Sequence, residues 1–248
     1  MEFSYTAIVL KKRDIGETDR LYSFFTAEGG KVKAVARGVR KPSAKLAGQL
    51  ETLTLASVSV MRSRGRGNVV GAVSESLFLR VRECEEALRT ALLGVTVFDR
   101  LVEDHEVDRE LFFLLLGFLR SLDIVSALPA ETKVQEERRG EKIFLLSQGF
   151  LWKVLSRLGY GVELWQCAVG HEPLLAGDSL AFSPDAGGAV CGEHGSRARL
   201  RFPFSENAVK SLRIFLSHDL PLLPKLSLDA ETKGMLRGAL RGFLDWVR

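Results

Sequence analysis

The stretch GGKVKAVARGVRKPSAKL, Gly29 to Leu46, carries a strand and a basic loop back to back. Two glycines open it as a turn. Val32, Ala34 and Ala36 then alternate with Lys31, Lys33 and Val35, the two-residue period of a half-buried strand. From Arg37 onward Gly, Arg, Lys, Pro and Ser make a loop by composition. The same reading extends outward on both sides. Residues 3–10 are rich in aromatic and β-branched side chains, and residues 21–26 follow a polar turn at GETD. Residues 53–61 form a long alternating strand whose phase slips near Ala56 and Ser57, as a bulge would cause. RSRGRGN, residues 62–68, is a turn, and residues 69–76 are a last strand. Five short strands with hairpin-type connections resolve their edges by curling into a small barrel. An OB-type barrel is the expected form, with an SH3-like barrel as the structural rival.

The pattern changes near Arg80. Cys84, Ala87, Leu88, Ala91, Leu92, Val95, Phe98, Leu101 and Val102 recur at three- and four-residue spacing, which predicts an amphipathic helix. A second helix is predicted over 109–124, apolar almost all round. A charged segment, 131–142, leads to a third over 143–158, stopped by Gly159 and Gly161. From Cys167 to Arg199 helical periodicity disappears, and an irregular insertion is expected. Helix returns over 206–218 behind Ser205 as N-cap, PLLP (residues 221–224) interrupts it, and a last helix starts after Asp229. The expected organisation is α+β: an OB-fold domain over 1–80, then an all-α domain over 81–248 with a Cys/His insertion at 165–200.

Charge follows that division. The chain of 248 residues carries a formal net charge of +4. Residues 1–80 hold 14 Lys and Arg against 7 Asp and Glu, so +7, and the remainder is −3. Nine of the 14 lie in two segments: Lys31, Lys33, Arg37, Arg40, Lys41 and Lys45, then Arg62, Arg64 and Arg66. Glu51 is the only acidic residue between Lys31 and Arg66. Cations on glycine-containing loops suit a phosphate backbone, where charge and reach count for more than shape. Phe3, Tyr5, Tyr22, Phe24 and Phe25 are candidate base-stacking faces, although about half must point into the barrel.

A hydrophobic fraction of 46% with 27% charged residues excludes a disordered chain. The longest apolar run, LFFLLLGFL at residues 111–119, is about half the length that crosses a bilayer. At the N-terminus the basic residues follow the apolar stretch, the reverse of a secretory signal, so a cytoplasmic, membrane-free setting is expected. Three cysteines, Cys84, Cys167 and Cys191, are too few and odd for a disulfide framework.

Cys167 and His171 form one close pair and Cys191 and His194 another, flanking a Gly-rich loop. Thiol and imidazole pairs so placed suit a structural zinc site, closing a segment too irregular to fold alone. The bland alternative is two buried thiols and two surface histidines. No catalytic constellation accompanies them. His171 is followed directly by Glu172, and the chain lacks Pro-Cys-x-x-Cys, GxxxxGK[ST], HExxH and GxSxG. No nucleotide cofactor and no enzymatic activity are expected. The competing readings are a zinc-dependent enzyme acting on nucleic acid, with Glu193 beside the metal, and a protein-binding adaptor built on the barrel.

AIVL (residues 7–10), GETDRL (16–21), FT (25–26), GGK (29–31) and AVARGVRKPSAKL (34–46) together resemble the N-terminal signature of the RecO family. Cys167, then Phe182, Gly187 and Gly188, then Cys191 resemble that family's later cysteine pattern, so the likeness covers most of the chain in order. Gly170 and His194 stand where four-cysteine members carry thiols. The resemblance implies an N-terminal OB-fold, a helical body and a zinc-binding insertion. It implies binding to single- and double-stranded DNA, annealing of complementary strands, and action with RecR to load RecA on DNA coated by the single-strand binding protein SSB. It places the protein on the bacterial nucleoid. It also implies a contact with the acidic C-terminal tail of SSB. Lys210 and Arg213 on one helix, and Lys233, Arg237 and Arg241 at four-residue spacing on the next, are the candidates for that contact. A solvated helix face is the plain alternative.

Overall fold

The computed structural model describes the chain apart from residues 42, 43, 45, 63–66, 105, 176, 178, 197 and 248. Two compact units divide it, Met1–Arg139 and Gly140–Arg248.

In the first unit, strands β1 (Glu2–Ile15), β2 (Asp19–Thr26), β3 (Gly30–Ala36), β4 (Leu55–Met61) and β5 (Gly67–Ser76) close a barrel in the order β1-β2-β3-β5-β4. All neighbours are antiparallel except β3 and β5, which pair in parallel. This is the OB arrangement, and it decides against the SH3-like rival. The long first strand makes it work. Glu2 to Ile8 pair with β4, while Ala7 to Ile15 pair with β2, and the register shifts between Val9 and Lys11. That bulge bends one strand around the barrel so that it serves two neighbours. β1 thus runs five residues beyond the expected end at Leu10. In the β4–β5 pair the register shifts between Leu55 and Ala56, where the sequence phase slips, and again between Ser59 and Val60. Tyr5, Val9, Tyr22, Phe24, Val58 and Val60 fill the interior.

Some outward positions are also apolar and buried, including Ile8 and Phe25. Helices cover them. α1 (Leu79–Glu83), α2 (Glu85–Leu101) and α3 (Arg109–Ser126) belong to the same unit as the barrel. Phe98 of α2 meets Phe25 edge-on at 4.8 Å. Asp108 caps α3 by accepting from the backbone N–H groups of Glu110 and Leu111. Residue 80 therefore marks where strands give way to helices, and the compact unit continues to Arg139 because the barrel's outer face needs that cover.

Helix α4 (Lys133–Arg157) begins ten residues before the expected start at 143. Its charged first turns are good helix formers, and Thr132 and Gln135 cap them reciprocally. In the second unit follow β6 (Leu180–Ser183), β7 (Gly188–Cys191), the short α5 (Gly192–Gly195), β8 (Phe202–Phe204), α6 (Glu206–Ser217) and α7 (Ala230–Trp246). Strands β7-β6-β8 form an antiparallel sheet. The expected irregular insertion is thus partly ordered as sheet. Strands of three or four residues are too short to show a period. The sheet is held by Phe182, whose ring lies 5.5 Å from Trp152, 5.4 Å from Phe204 and 5.9 Å from Phe243. Ser205 caps α6 as expected, accepting from the Ala208 N–H. Among the described residues, no helix is long and apolar enough to cross a membrane.

Candidate functional site

Cross-strand register builds a basic row on the outside of the barrel. Lys11 stands opposite Ser23, Ser23 opposite Lys33, and Arg13 opposite Leu21. Residues at this spacing point to one face. Lys11, Arg13, Leu21, Ser23 and Lys33 line a cleft of about 310 Å³ there. The β3 alternation carries the row on to Arg37, exposed to solvent, whose Nε donates to Asn68 Oδ1 at 3.2 Å.

One end of the row is anchored by acidic groups. Asp99 of α2 is buried and accepts from Lys11 Nζ at 3.0 Å and Ser23 Oγ at 3.3 Å. Lys31 Nζ lies 3.1 Å from its Oδ1. Burial alone would raise the Asp99 carboxyl, but hydrogen bonds from Lys11 and Lys31 and the charges of both hold it below the ordinary carboxylate range. Lys33 Nζ sits 2.6 Å from the Asp104 carboxylate.

The sequence candidates for DNA separate accordingly. Lys31 is corrected: it is only 8% exposed and its ammonium also donates to the backbone carbonyls of Asp99 and Val102, so it is a structural anchor. Lys33, Arg37, Arg40 and Lys41 are exposed. Arg40 is steadied by Asp14 at 3.3 Å and the Gly16 carbonyl at 3.2 Å. Arg62 lies over the Phe3 ring at 5.9 Å. Lys45, Arg64 and Arg66 fall outside the described residues. The aromatic expectation fails for four of five: Tyr5, Tyr22, Phe24 and Phe25 are buried, and only Phe3 is partly open. Lys11 and Arg13 lie beyond the strand end expected at Leu10 and so fall outside the sequence candidates. KKRD directly after AIVL was the available signal, since a strand continued through it places positions 11 and 13 on one face.

In the second unit, Cys167, Cys191 and His194 converge, with one donor atom each within 4.8 Å of the others. His194 Nδ1 is 3.2 Å from Cys191 Sγ and 3.7 Å from Cys167 Sγ. A tetrahedral zinc with its usual bond lengths sets sulfur and nitrogen about 3.6 Å apart, so the spacing fits such an ion. Burial pushes the Cys167 thiol up, but hydrogen bonds from backbone N–H groups of Gly170, Cys191 and Val169 outweigh it and bring the thiol down to about 7. That favours the thiolate a metal requires. His171 is corrected out of the set: it is exposed, with a left-handed φ of 64°, and is not among the converging donors. Glu193, the acid of the enzymatic reading, is not among them either.

The basic residues expected to meet an acidic tail have the following partners. Lys210 pairs with Glu206 on its own helix. Arg213 donates to the Leu164 carbonyl and stacks 3.9 Å over the exposed Trp165 ring. Lys233 pairs with Glu141 at 3.2 Å and Arg237 lies 5.4 Å over the Phe144 ring, so these two face α4. Arg241 is exposed.

Residues 1–75 match the profile described as Recombination protein O N terminal, and residues 86–247 match Recombination protein O C terminal. The chain belongs to the RecO family. It is 30% identical over 246 residues to the DNA repair protein RecO of Dehalococcoides mccartyi (strain ATCC BAA-2266 / KCTC 15142 / 195), covering 99% of this chain and 90% of that one. It is 32% identical over 243 residues to that of Roseiflexus sp. (strain RS-1), covering 96% and 80%. The RecO of Bacillus cereus (strain AH187) is 29% identical over 238 residues, 96% and 89% of the two chains. These matches span both compact units of the chain.

Proposed function

We propose that this RecO-family chain is a non-enzymatic mediator of recombinational repair that binds single- and double-stranded DNA through its barrel and anneals complementary strands. The observation that carries the reading is the outward row of Lys11, Arg13, Lys33 and Arg37 on an OB barrel. Annealing needs phosphate neutralisation so that two like-charged strands can approach, with bases left free to pair. A basic face whose aromatics are turned inward suits that task, because it holds backbones without capturing bases. Lys33, Arg37, Arg40, Lys41 and Arg62 keep their assigned contact with DNA, and Lys11 and Arg13 join them.

The domain over 1–80 supplies the DNA face, and the helical body addresses it to partners. These are RecR and the acidic tail of SSB, so that RecA is loaded where SSB coats DNA, in the bacterial cytoplasm. For the SSB tail, Arg237 and Arg241 on α7 are the stronger candidates, since Lys210 is engaged within its helix. A structural zinc held by Cys167, Cys191 and His194 would pin the loop before β6 to the end of β7.

The decisive experiment is annealing of complementary oligonucleotides coated with SSB, with and without the protein. Acceleration without nucleotide, lost on combined Arg13→Glu and Lys33→Glu substitution, is the expected result. Annealing that those changes leave untouched would sink the barrel assignment. Turnover of DNA abolished by a chelator would favour the zinc-enzyme alternative.

A further inference from the structure

Among the described residues, three donors converge in the second unit, whereas a closed structural zinc site takes four. We propose that Glu172 supplies the fourth ligand, so that the centre binds a zinc-type divalent cation in a Cys167–Cys191–His194–Glu172 set. The inference rests on the metal reading above and deepens it.

The backbone delivers Glu172 to the site. The N–H of His171 donates to the Cys167 carbonyl at 2.8 Å, and the N–H of Cys167 donates to the Glu172 carbonyl at 2.8 Å. These two bonds close the segment on itself, and Gln166 and Pro173 pair across its base. Residue 172 therefore stands beside Cys167 although five positions separate them. The left-handed φ of 64° at His171 turns the chain between the two neighbours. Glu172 is exposed and stands outside the three converging donors, but its carboxylate reaches toward His194, the member they share. Glu172 Oε2 lies 3.7 Å from His194 Nδ1, the atom that also faces both sulfurs. In a tetrahedral zinc site, oxygen and nitrogen ligands stand about 3.3 to 3.5 Å apart.

Gly170 is the second, independent observation. A Cβ built there would run into Glu172 Oε2 and into the His194 ring. Carboxylate and imidazole thus share the space that any side chain at 170 would claim. Gly170 also donates its N–H toward Cys167 Sγ at 3.5 Å. Its bare backbone lets three donor groups and a sulfur-directed N–H meet in one small volume. An acidic oxygen is a sound zinc ligand beside two thiolates and one imidazole.

The test uses the full-length protein loaded with zinc or cobalt(II) alone. Metal content and chelator competition give stoichiometry and affinity, and the cobalt d–d bands report the ligand set. Expected are one metal ion per wild-type chain and a fall of about tenfold or more in affinity for Glu172→Gln. The cobalt bands should shift in that variant, while His171→Gln behaves as wild type. The metal-free Glu172→Gln protein should unfold with the same midpoint as metal-free wild type, which separates ligation from folding. Bound metal in wild type with unchanged affinity and spectrum in Glu172→Gln would overturn Glu172 alone. A loss confined to His171→Gln would do the same and pass the role to that histidine. No metal in wild type would overturn the metal reading and this inference together.

Discussion

Lys31 Nζ sits 3.1 Å from Asp99 Oδ1, a buried ion pair that joins the third barrel strand to the end of the helix covering it. The ammonium is further satisfied by the backbone carbonyls of Asp99 and Val102. Removing one partner of such a pair strands the other without its counter-charge, at a cost of about 3 kcal/mol. Asp99→Asn and Lys31→Ala should each lower the urea midpoint of the transition that reports the barrel. Lys31→Ala should leave the salt dependence of DNA binding unchanged in protein that remains folded. A reduced salt slope in that variant would return Lys31 to the DNA face.

The same pair sets a pH dependence. The Asp99 carboxyl is depressed in the folded chain, so its contribution to stability is fully present above the ordinary carboxylate value near 4. It is lost as pH falls through the lower folded value. Wild type should exceed Asp99→Asn in stability at pH 7, and the difference should shrink steadily on acidification below about pH 4. Denaturant titrations of both proteins across that range read it directly. A gap that stays constant down to pH 2 would mean that ionisation of Asp99 does not hold the seam.

The basic row makes a quantitative prediction for DNA. Arg13→Ala and Lys33→Ala should weaken binding to single strands of any sequence about equally, because phosphate contacts carry no base information. Each should lower the slope of log affinity against log salt by roughly 0.7. Tyr22→Phe, which alters only the interior of the barrel, should leave that slope alone. Fluorescence anisotropy with labelled oligonucleotides at several salt concentrations measures all three.

Much of the fold could be read before the structure, and the failures have physical causes. GGKVKAVA and the residues around it have a clear two-residue period because the barrel buries one side of each strand, so five strands and the phase slip at Ala56 were visible. Strand β1 beyond Leu10 was not, because four of residues 11–15 are charged and carry no apolar alternation. Cys167, Cys191 and His194 could be picked by residue type and spacing. His171 could not be set aside from spacing alone, since it is a left-handed backbone angle there that accompanies its place outside the converging donors. The burial of Lys31 was invisible for a related reason. Its partners, Asp99 and the Val102 carbonyl, come from a helix about 70 residues away that no local pattern connects to it.

Gly67 offers a stability test with a backbone origin. A Cβ at that position would enter the space of the Val60 side chain, and Gly67 stands opposite Ala34 where β3 meets β5. Gly67→Ala should destabilise the barrel by about 1 to 3 kcal/mol through overpacking. The compensating change Val60→Ala should recover part of the loss in the double variant, an interaction that a double-mutant cycle would resolve.

The barrel is a closed ring, yet its circumference is unevenly fastened. Among the described residues, β1 and β2 share eight paired positions and β4 and β5 seven, while β3 and β5 meet through Ala34–Gly67 and Val35–Asn68. Arg37 reaches across that narrow join to Asn68 and acts as a latch on it. The ring should therefore breathe first at this place, with amide protons of residues 34–35 and 67–68 exchanging ahead of their neighbours. A phosphate that draws Arg37 away from Asn68 would also release the latch, so occupancy of the outer surface and the integrity of the ring are mechanically linked through a single guanidinium.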